Sequence, residues 1–193
     1  MKTDLHPPCV ECGRRWFHGH AADCRTRTGY SPPALPRVRE VILSEADESW
    51  ALEVARARNA NGTRRGYRPK LGPGTDRAHS LGARGELAVA RSTGASWDDP
   101  ERLDFARMHD PDVGAFDVRT SERLDAVLPI RPGDRNDRPH VLVLALDDRR
   151  YRLAGWLLGR EGKRPEFWRD ADARGPGWWA VPQDALHDPW SLR

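Results

Sequence analysis

The C-terminal half of the chain carries the apolar and alternating segments that are typical of β-strands. Residues 140–146 are nearly continuously apolar and predict a fully buried central strand. The charged turn 147–150 separates them from the alternating segment 151–159, and the two segments together predict a hairpin. Three shorter strands are also predicted, at 113–120, 124–130 and 178–181.

Apolar residues at helical spacing precede these strands. Ser44 and Asp47 form a capping-box pattern, with Asp in place of Glu, at the start of a first helix. A second helix is predicted at about 79–93, and Gly94 is its expected C-cap. The intervening segment 61–78 is rich in Gly, Pro and Arg, which predicts a loop.

The order of these elements predicts an α+β fold, in which two helices precede a mixed sheet of four to five strands. We expect this α/β domain to span residues 39–193. Residues 1–28 have little apolar periodicity and concentrate Cys and His. Residues 29–38 are rich in Pro, which blocks helix and sheet, and predict a linker between the two parts.

The charge of the chain is unevenly distributed. The net charge is only +3, but no acid occurs between Val54 and Thr75. The cations of this stretch form a candidate nucleic-acid contact, for which we select Arg64, Arg65, Arg68 and Lys70. The alternative is a solvated basic loop with no ligand.

Membrane insertion and secretion are not expected from the sequence. No apolar run approaches the about 18 residues that a membrane span requires. The first residues lack the apolar core of a signal peptide. The three cysteines are an odd number, which argues against a disulfide framework, and we expect a cytoplasmic protein without membrane contact.

Acidic residues around the 113–120 strand indicate metal chemistry. Asp117 and Arg119 project from one face of that strand, because side chains alternate, and Asp112 can turn towards it through Gly114. Glu86 lies on the preceding helix. Carboxylates in such a group can hold Mg²⁺, which orients a water against a phosphodiester. The alternative is an Asp that caps a turn, followed by an ion pair on an exposed strand.

Two glycines lie close to Glu86 in the predicted second helix. Gly82 and Gly85 are costly inside a helix, by about 1 kcal/mol each relative to Ala. Their presence predicts a close approach of the helix backbone to a strand or a ligand. A solvated mid-helix Glu is the alternative for Glu86.

The acidic segment resembles the PD-(D/E)xK nuclease superfamily, in which Pro-Asp precedes a strand with an acid, any residue and a Lys. Pro111 and Asp112 are similar to the first half of this motif, and residues 117–119 to the second. Glu86 resembles the acid that the family often carries on its first helix. The resemblance implies a restriction-endonuclease-like core, Mg²⁺ or Mn²⁺ as cofactor, and nucleic acid as substrate, with DNA preferred.

A second likeness concerns residues 80–187, which resemble a group of small phage-encoded proteins. Gly155-Trp156 and the segment 165–168 are similar to the GW and PEW segments of that group. The likeness implies a phage or mobile-element origin. In the active-site motif, Arg119 stands for the usual Lys and Asp117 for the commoner Glu. Arg119 stays protonated and cannot act as a base, so its expected role is to stabilise the transition state.

The N-terminal segment carries a possible zinc site. Cys9 and Cys12 form a CxxC pair, which can supply two of the four ligands of a tetrahedral Zn²⁺, and Cys24 can supply a third. His18 or His20 would be the fourth, and the pattern resembles a short CCHC knuckle. A tail with free thiols is the alternative.

Basic and aromatic residues lie between the expected zinc ligands. Arg14 and Arg15, followed by Trp16 and Phe17, suit phosphate contact and base stacking. The eight tryptophans of the chain are interpreted mainly as core packing, with base stacking as the minor alternative. His140 and His187 are interpreted as structural residues.

These observations leave three hypotheses for function. The first is a metal-dependent nuclease in which Glu86, Asp112 and Asp117 hold Mg²⁺ or Mn²⁺. The second is a nucleic-acid-binding module on the same fold without activity, which the Arg119 departure favours. The third is an adaptor that uses structural Zn²⁺ and binds protein.

Overall fold

The long apolar run of the sequence forms the centre of a four-stranded sheet. A computed structural model of the chain describes residues 39–64, 75–97, 110–171 and 176–192. The strands of this sheet have the order β1-β5-β4-β2, and their bounds are β1 Arg39–Ile42, β2 Asp117–Ser121, β4 Pro139–Ala145 and β5 Arg150–Leu158. Strand β2 runs parallel to β4, and the other pairs are antiparallel, so the sheet is mixed.

Two long helices cover one face of this sheet. They are α1, Glu45–Arg64, and α2, Thr75–Thr93. Ser44 and Asp47 cap α1 as predicted: the Asp47 amide donates to the Ser44 hydroxyl, and the Ser44 amide donates to the Asp47 carboxylate. Apolar residues of both helices pack against alternate residues of β4, Val141 and Val143, in one buried core.

A second, three-stranded sheet covers the opposite face. Its order is β3-β7-β6, with bounds β3 Leu128–Ile130, β6 Trp168–Arg169 and β7 Trp178–Val181. Leu142 and Leu144 of β4 point to this side and form a second buried core with β3 and β7. Strand β4 is therefore buried on both faces, which explains its continuous apolar sequence.

The structure confirms the α+β class and the hairpin of β4 and β5, and it corrects several boundaries. Within the described residues, the strands form two sheets, of four and three strands, instead of one sheet of four to five. Strand β1 precedes α1, so the two helices do not come before all strands. Helix α1 continues to Arg64 and α2 begins at Thr75, so both extend into the predicted loop 61–78.

Short turns complete the described chain. Helix α3, Gly159–Gly162, is a single turn after β5, and 3₁₀ turns occupy Pro165–Phe167, Gln183–Ala185 and Pro189–Ser191. Within the described ranges, no helix combines the length and the apolar sequence needed to cross a membrane. The predicted Cys/His segment 1–28 and the linker 29–38 lie outside the described residues.

Candidate active site

A tight turn before β2 places Asp112 against the start of that strand. Val113 and Phe116 form an isolated bridge, and Gly114 has a φ of 54°, a left-handed conformation that favours glycine. The chain thereby folds back so that the Val118 amide donates to the Asp112 carboxylate at 2.8 Å. The strand predicted at 113–120 consequently begins at Asp117, after this turn.

Glu86 is held on the buried side of α2. Its carboxylate accepts two hydrogen bonds from the Arg58 guanidinium, at 3.0 and 2.6 Å, and one from the Trp97 indole at 3.0 Å. The residue is only 7% exposed, so these partners compensate for its burial. Glu86 is therefore not the solvated helix residue of the alternative interpretation.

One of the two glycines beside Glu86 explains how α2 approaches β2. A Cβ atom at Gly85 would lie 1.9 Å from the Thr120 hydroxyl oxygen, so the predicted close approach to a strand is confirmed there. A Cβ atom added at Gly82 would have no atom of another part of the chain within 4 Å, so the prediction is wrong for that residue. Gly85 thus brings the helix segment that carries Glu86 onto β2.

Asp117 begins β2 and is buried beside two basic side chains. The Arg138 guanidinium donates to one of its carboxylate oxygens at 3.0 Å. Nδ1 of His140 lies 3.6 Å from the other oxygen. The parallel register of β2 and β4, which pairs Asp117 with His140, creates this proximity.

Arg119 projects from the same strand and is held loosely. Its guanidinium lies 3.3 and 3.4 Å from the carboxylate oxygens of Asp134 and 3.7 Å from Asp112. Its Nε is buried and has no hydrogen-bond partner among the described residues. These contacts are longer than the 2.6 Å contact of Arg58 with Glu86.

The carboxylates interact strongly around Asp112. Burial and the negative charges of Glu86 and Asp117 raise the pKa of Asp112 to about 6, against the opposing effects of the Val118 amide and Arg119. Asp112 is therefore a carboxyl group whose negative charge is poorly compensated in this structure. A bound cation would relieve this repulsion.

His140 faces acceptor atoms on both of its ring nitrogens. Nε2 lies 3.4 Å from the Arg135 carbonyl oxygen, while Nδ1 faces Asp117 and has no hydrogen-bond partner among the described residues. A neutral imidazole carries one N–H and cannot satisfy both contacts. Burial lowers the pKa of His140, and the charges of Asp117 and Asp134 partly oppose this change. The histidine is thus part of the acidic site.

The geometry limits how the site can hold a metal. In the part of the chain that the structure describes, no group of three or more His, Cys, Asp or Glu side chains is arranged to bind a metal ion. Mg²⁺ often uses only one or two carboxylates and keeps several waters. Asp112 and Asp117 can provide this smaller set, so the site fits a hydrated divalent ion and not one enclosed by three carboxylates.

The structure brings Asp112, Asp117 and Arg119 together at the start of β2. Glu86 approaches from α2, on the helix side of the sheet, and its charge acts on Asp112. The site also contains partners that the sequence did not indicate. The additional residues are Arg58, Trp97, Asp134, Arg138 and His140. His140 could have been found from its position at the start of the apolar run of β4. There it lies beside Asp117, the first residue of the parallel strand β2.

Most other predicted binding residues cannot be placed in this site. Those outside the described residues are Cys9, Cys12, His18, His20 and Cys24 for zinc, and Arg14, Arg15, Arg65, Arg68 and Lys70 for nucleic acid. Arg64 is the last residue of α1. The zinc site and the basic contact therefore stay predictions.

Comparisons of this chain with models of protein families, with curated proteins and with solved structures give no match.

Proposed function

We propose that the chain is a divalent-metal-dependent phosphodiesterase that cleaves nucleic acid. One observation carries the proposal: Asp112 accepts from the amide that follows Asp117 at the start of β2, beside the guanidinium of Arg119, which lies 3.7 Å from Asp112. An acidic cluster attracts a divalent cation, and an adjacent cation suits a phosphate. The resemblance of residues 111–119 to the PD-(D/E)xK motif agrees with this combination.

In this proposal, the residues of the site have distinct roles. Asp112 and Asp117 hold the metal, and Glu86 completes the negative field from α2. Mg²⁺ or Mn²⁺, when bound, supplies a polarised water and charge stabilisation at the phosphate. Arg119 remains protonated, so it positions the phosphate and stabilises the charge that develops on its oxygens.

Arg58 and Arg138 act as positioning residues for the acids. Arg58 fixes the carboxylate of Glu86 through two hydrogen bonds, and Arg138 fixes one oxygen of Asp117. The second oxygen of Asp117 faces Nδ1 of His140 at 3.6 Å, and we assign this oxygen to the metal.

The test is a cleavage assay on labelled DNA and RNA, single- and double-stranded, with Mg²⁺ or Mn²⁺. We expect metal-dependent cutting that Asp117→Asn lowers by at least about 100-fold, because both the ligand charge and the Arg138 pair are lost. Asp137→Asn is the matched control, since Asp137 pairs with Arg135 on the exposed surface. Cutting that survives Asp117→Asn would exclude this site as its source.

A nucleic-acid-binding module without activity is the second candidate. The observation that favours it is that each acid has a guanidinium neighbour: Arg58 for Glu86, Arg138 for Asp117 and Arg119 for Asp112. Such internal cations compete with a metal for the carboxylates. Binding that weakens steeply with salt, without cutting in either metal, would establish this second function instead.

A further inference from the structure

An aromatic cleft lies beside the acidic cluster, where the first turns of α1 meet the end of α2. Its volume is about 290 Å³, and its walls include Trp50 of α1 and Trp97, which follows α2. The two indole rings are half-buried and meet edge to face, with centroids 5.2 Å apart. The cleft is large enough for one planar ring system.

A guanidinium group is fixed at the edge of this cleft. Arg91 lies over the Trp50 ring, 5.5 Å from its centroid, and also lines the cleft. Asp47 holds Arg91 in place through an ion pair, and the capping hydrogen bonds with Ser44 hold Asp47. The Arg91 side chain remains 50% exposed, so its outer surface is accessible to a ligand. Arginine stacked on an aromatic ring suits both a base and a phosphate.

The cleft is connected directly to the acidic cluster. The indole nitrogen of Trp97 donates to Glu86 at 3.0 Å, so one side chain forms both a wall of the cleft and a support of the site. Ala95, which also lines the cleft, lies 3.0 Å from the position that a Cβ at Gly114 would take, in the turn that follows Asp112. Aromatic rings beside a polyanion site are the usual means of holding unpaired bases.

We propose that this cleft binds a single unpaired nucleobase next to the phosphate that the acidic cluster engages. The inference rests on the proposed function and specifies its substrate class as single-stranded or frayed nucleic acid. A base inside a duplex is paired at its edge and stacked on both faces, so it cannot enter a cleft of this size without leaving the helix. Base contact through ring faces is tolerant of sequence.

The test measures binding to labelled oligonucleotides of roughly 12 nucleotides, as single strand and as duplex, without added divalent metal. Wild type is expected to bind the single strand more tightly, and Trp50→Ala to weaken that binding about 10-fold, from the ~1–3 kcal/mol of one base stack. Ser96→Glu, on the exposed rim of the cleft, should weaken it as well through charge repulsion and without loss of packing.

The matched control is Trp168→Ala. Trp168 and Trp179 form an edge-to-face pair with a centroid distance of 4.7 Å in the second sheet, and Lys163 lies over Trp179. Like the cleft, this pair consists of two tryptophans with a cation over one ring, but it lies in the second sheet and has no hydrogen bond to Glu86. Loss of Trp168 should therefore leave binding unchanged. Circular dichroism and a thermal melt of each variant separate a lost base contact from a lost fold.

The outcomes distinguish this inference from the proposed nuclease activity. Equal affinity for single strand and duplex would overturn the inference, as would unchanged binding by folded Trp50→Ala and Ser96→Glu. Because this assay needs no cutting, the expected binding pattern in a protein that never cleaves would support the cleft and reject the nuclease. Cutting of duplex, with binding that does not depend on Trp50, would support the nuclease and reject the cleft.

Discussion

Asp112 has the least compensated charge among the predicted site residues, and this has a measurable consequence for stability. Burial, Glu86 and Asp117 raise its pKa from 3.8 to about 6. Between these pH values the native state binds more protons than the unfolded state, so the free energy of unfolding falls as the pH rises. Above about pH 6 this loss is complete.

We therefore predict that Asp112→Asn raises the free energy of unfolding at pH 7.5, while it abolishes metal-dependent cutting. The Asn carbonyl can still accept from Val118, and the repulsion is removed. The gain should be at most about 1 kcal/mol, because a third of the side chain is exposed and solvent screens the repulsion. Urea unfolding at pH 4.5 and 7.5 measures it.

The same experiment has an internal control of opposite sign. Hydrogen bonds from Arg135 lower the pKa of the exposed Asp137 to about 2, so this group adds stability that is lost only as the pH falls below about 4. Asp137→Asn should leave the change between pH 4.5 and 7.5 intact. If Asp112→Asn leaves that change intact too, the carboxylates do not repel one another as described.

At the level of single residues, the sequence identified charges better than it identified their partners. Spacing around Gly114 and strand alternation were enough to group Asp112, Asp117 and Arg119. The partner Arg58 comes from α1, and Arg138 comes from the turn before β4, so both reach the site only through tertiary packing. No local pattern connects residues 58 and 86, because their pairing depends on how α1 lies against α2.

Among the elements, the contact of α2 with β2 depends on one glycine. We predict that Gly85→Ala destabilises the protein by about 1–3 kcal/mol through overpacking against Thr120, although Ala favours a helix. Gly82→Ala, one turn earlier on the same helix, should instead stabilise by ~0.5–1 kcal/mol, since no atom lies within 4 Å of the added group. Urea unfolding of both variants measures this contrast.

A second substitution tests the cause of the Gly85 effect. Thr120→Ala removes the hydroxyl and the methyl group that the new Cβ would meet, at 1.9 and 2.8 Å, and leaves only the Thr Cβ at 2.9 Å. The double variant should therefore recover much of the stability lost in Gly85→Ala, so that its loss is smaller than the sum of the losses of the two single variants. Additive losses would mean that the helix backbone and not Thr120 determines the cost.

The elements that could be predicted from the sequence were those with strong local patterns. Strands β4 and β5 were evident because a continuous apolar run and an alternating one flank a charged turn. Strand β1 was missed because it has only four residues, which alternate between half-buried and exposed positions and include none that is fully buried. The β3 segment was shorter than predicted, because only Leu128–Ile130 finds a partner, and that partner lies in β7.

For the whole molecule, the arrangement of layers could not be predicted from local sequence. The apolar residues of β4 do not indicate that one face meets helices and the other meets a second sheet. The β3–β7 pairing that forms this second sheet joins segments about 50 residues apart, and nothing local encodes the pairing. The α+β class was accessible because it depends only on the order of elements.

Metal binding at the proposed site should be visible as stability of the whole molecule. A ligand that binds only the native state stabilises it by ~1.4 kcal/mol at about tenfold its dissociation constant. For a chain of this length we expect a melting temperature higher by ~2–5 °C in millimolar Mg²⁺ or Mn²⁺ at pH 7.5. Matched ionic strength in KCl is the control for screening.

The pH and a single substitution decide whether this stabilisation arises at the acidic cluster. At pH 5, below the pKa of about 6, Asp112 is mostly protonated and cannot bind a cation, so the metal effect should largely disappear. Asp112→Asn should remove it at pH 7.5 as well, whereas Asp137→Asn should retain it. A stabilisation that is equal in Asp112→Asn and wild type would place the metal elsewhere in the chain and remove the main support for a phosphodiesterase.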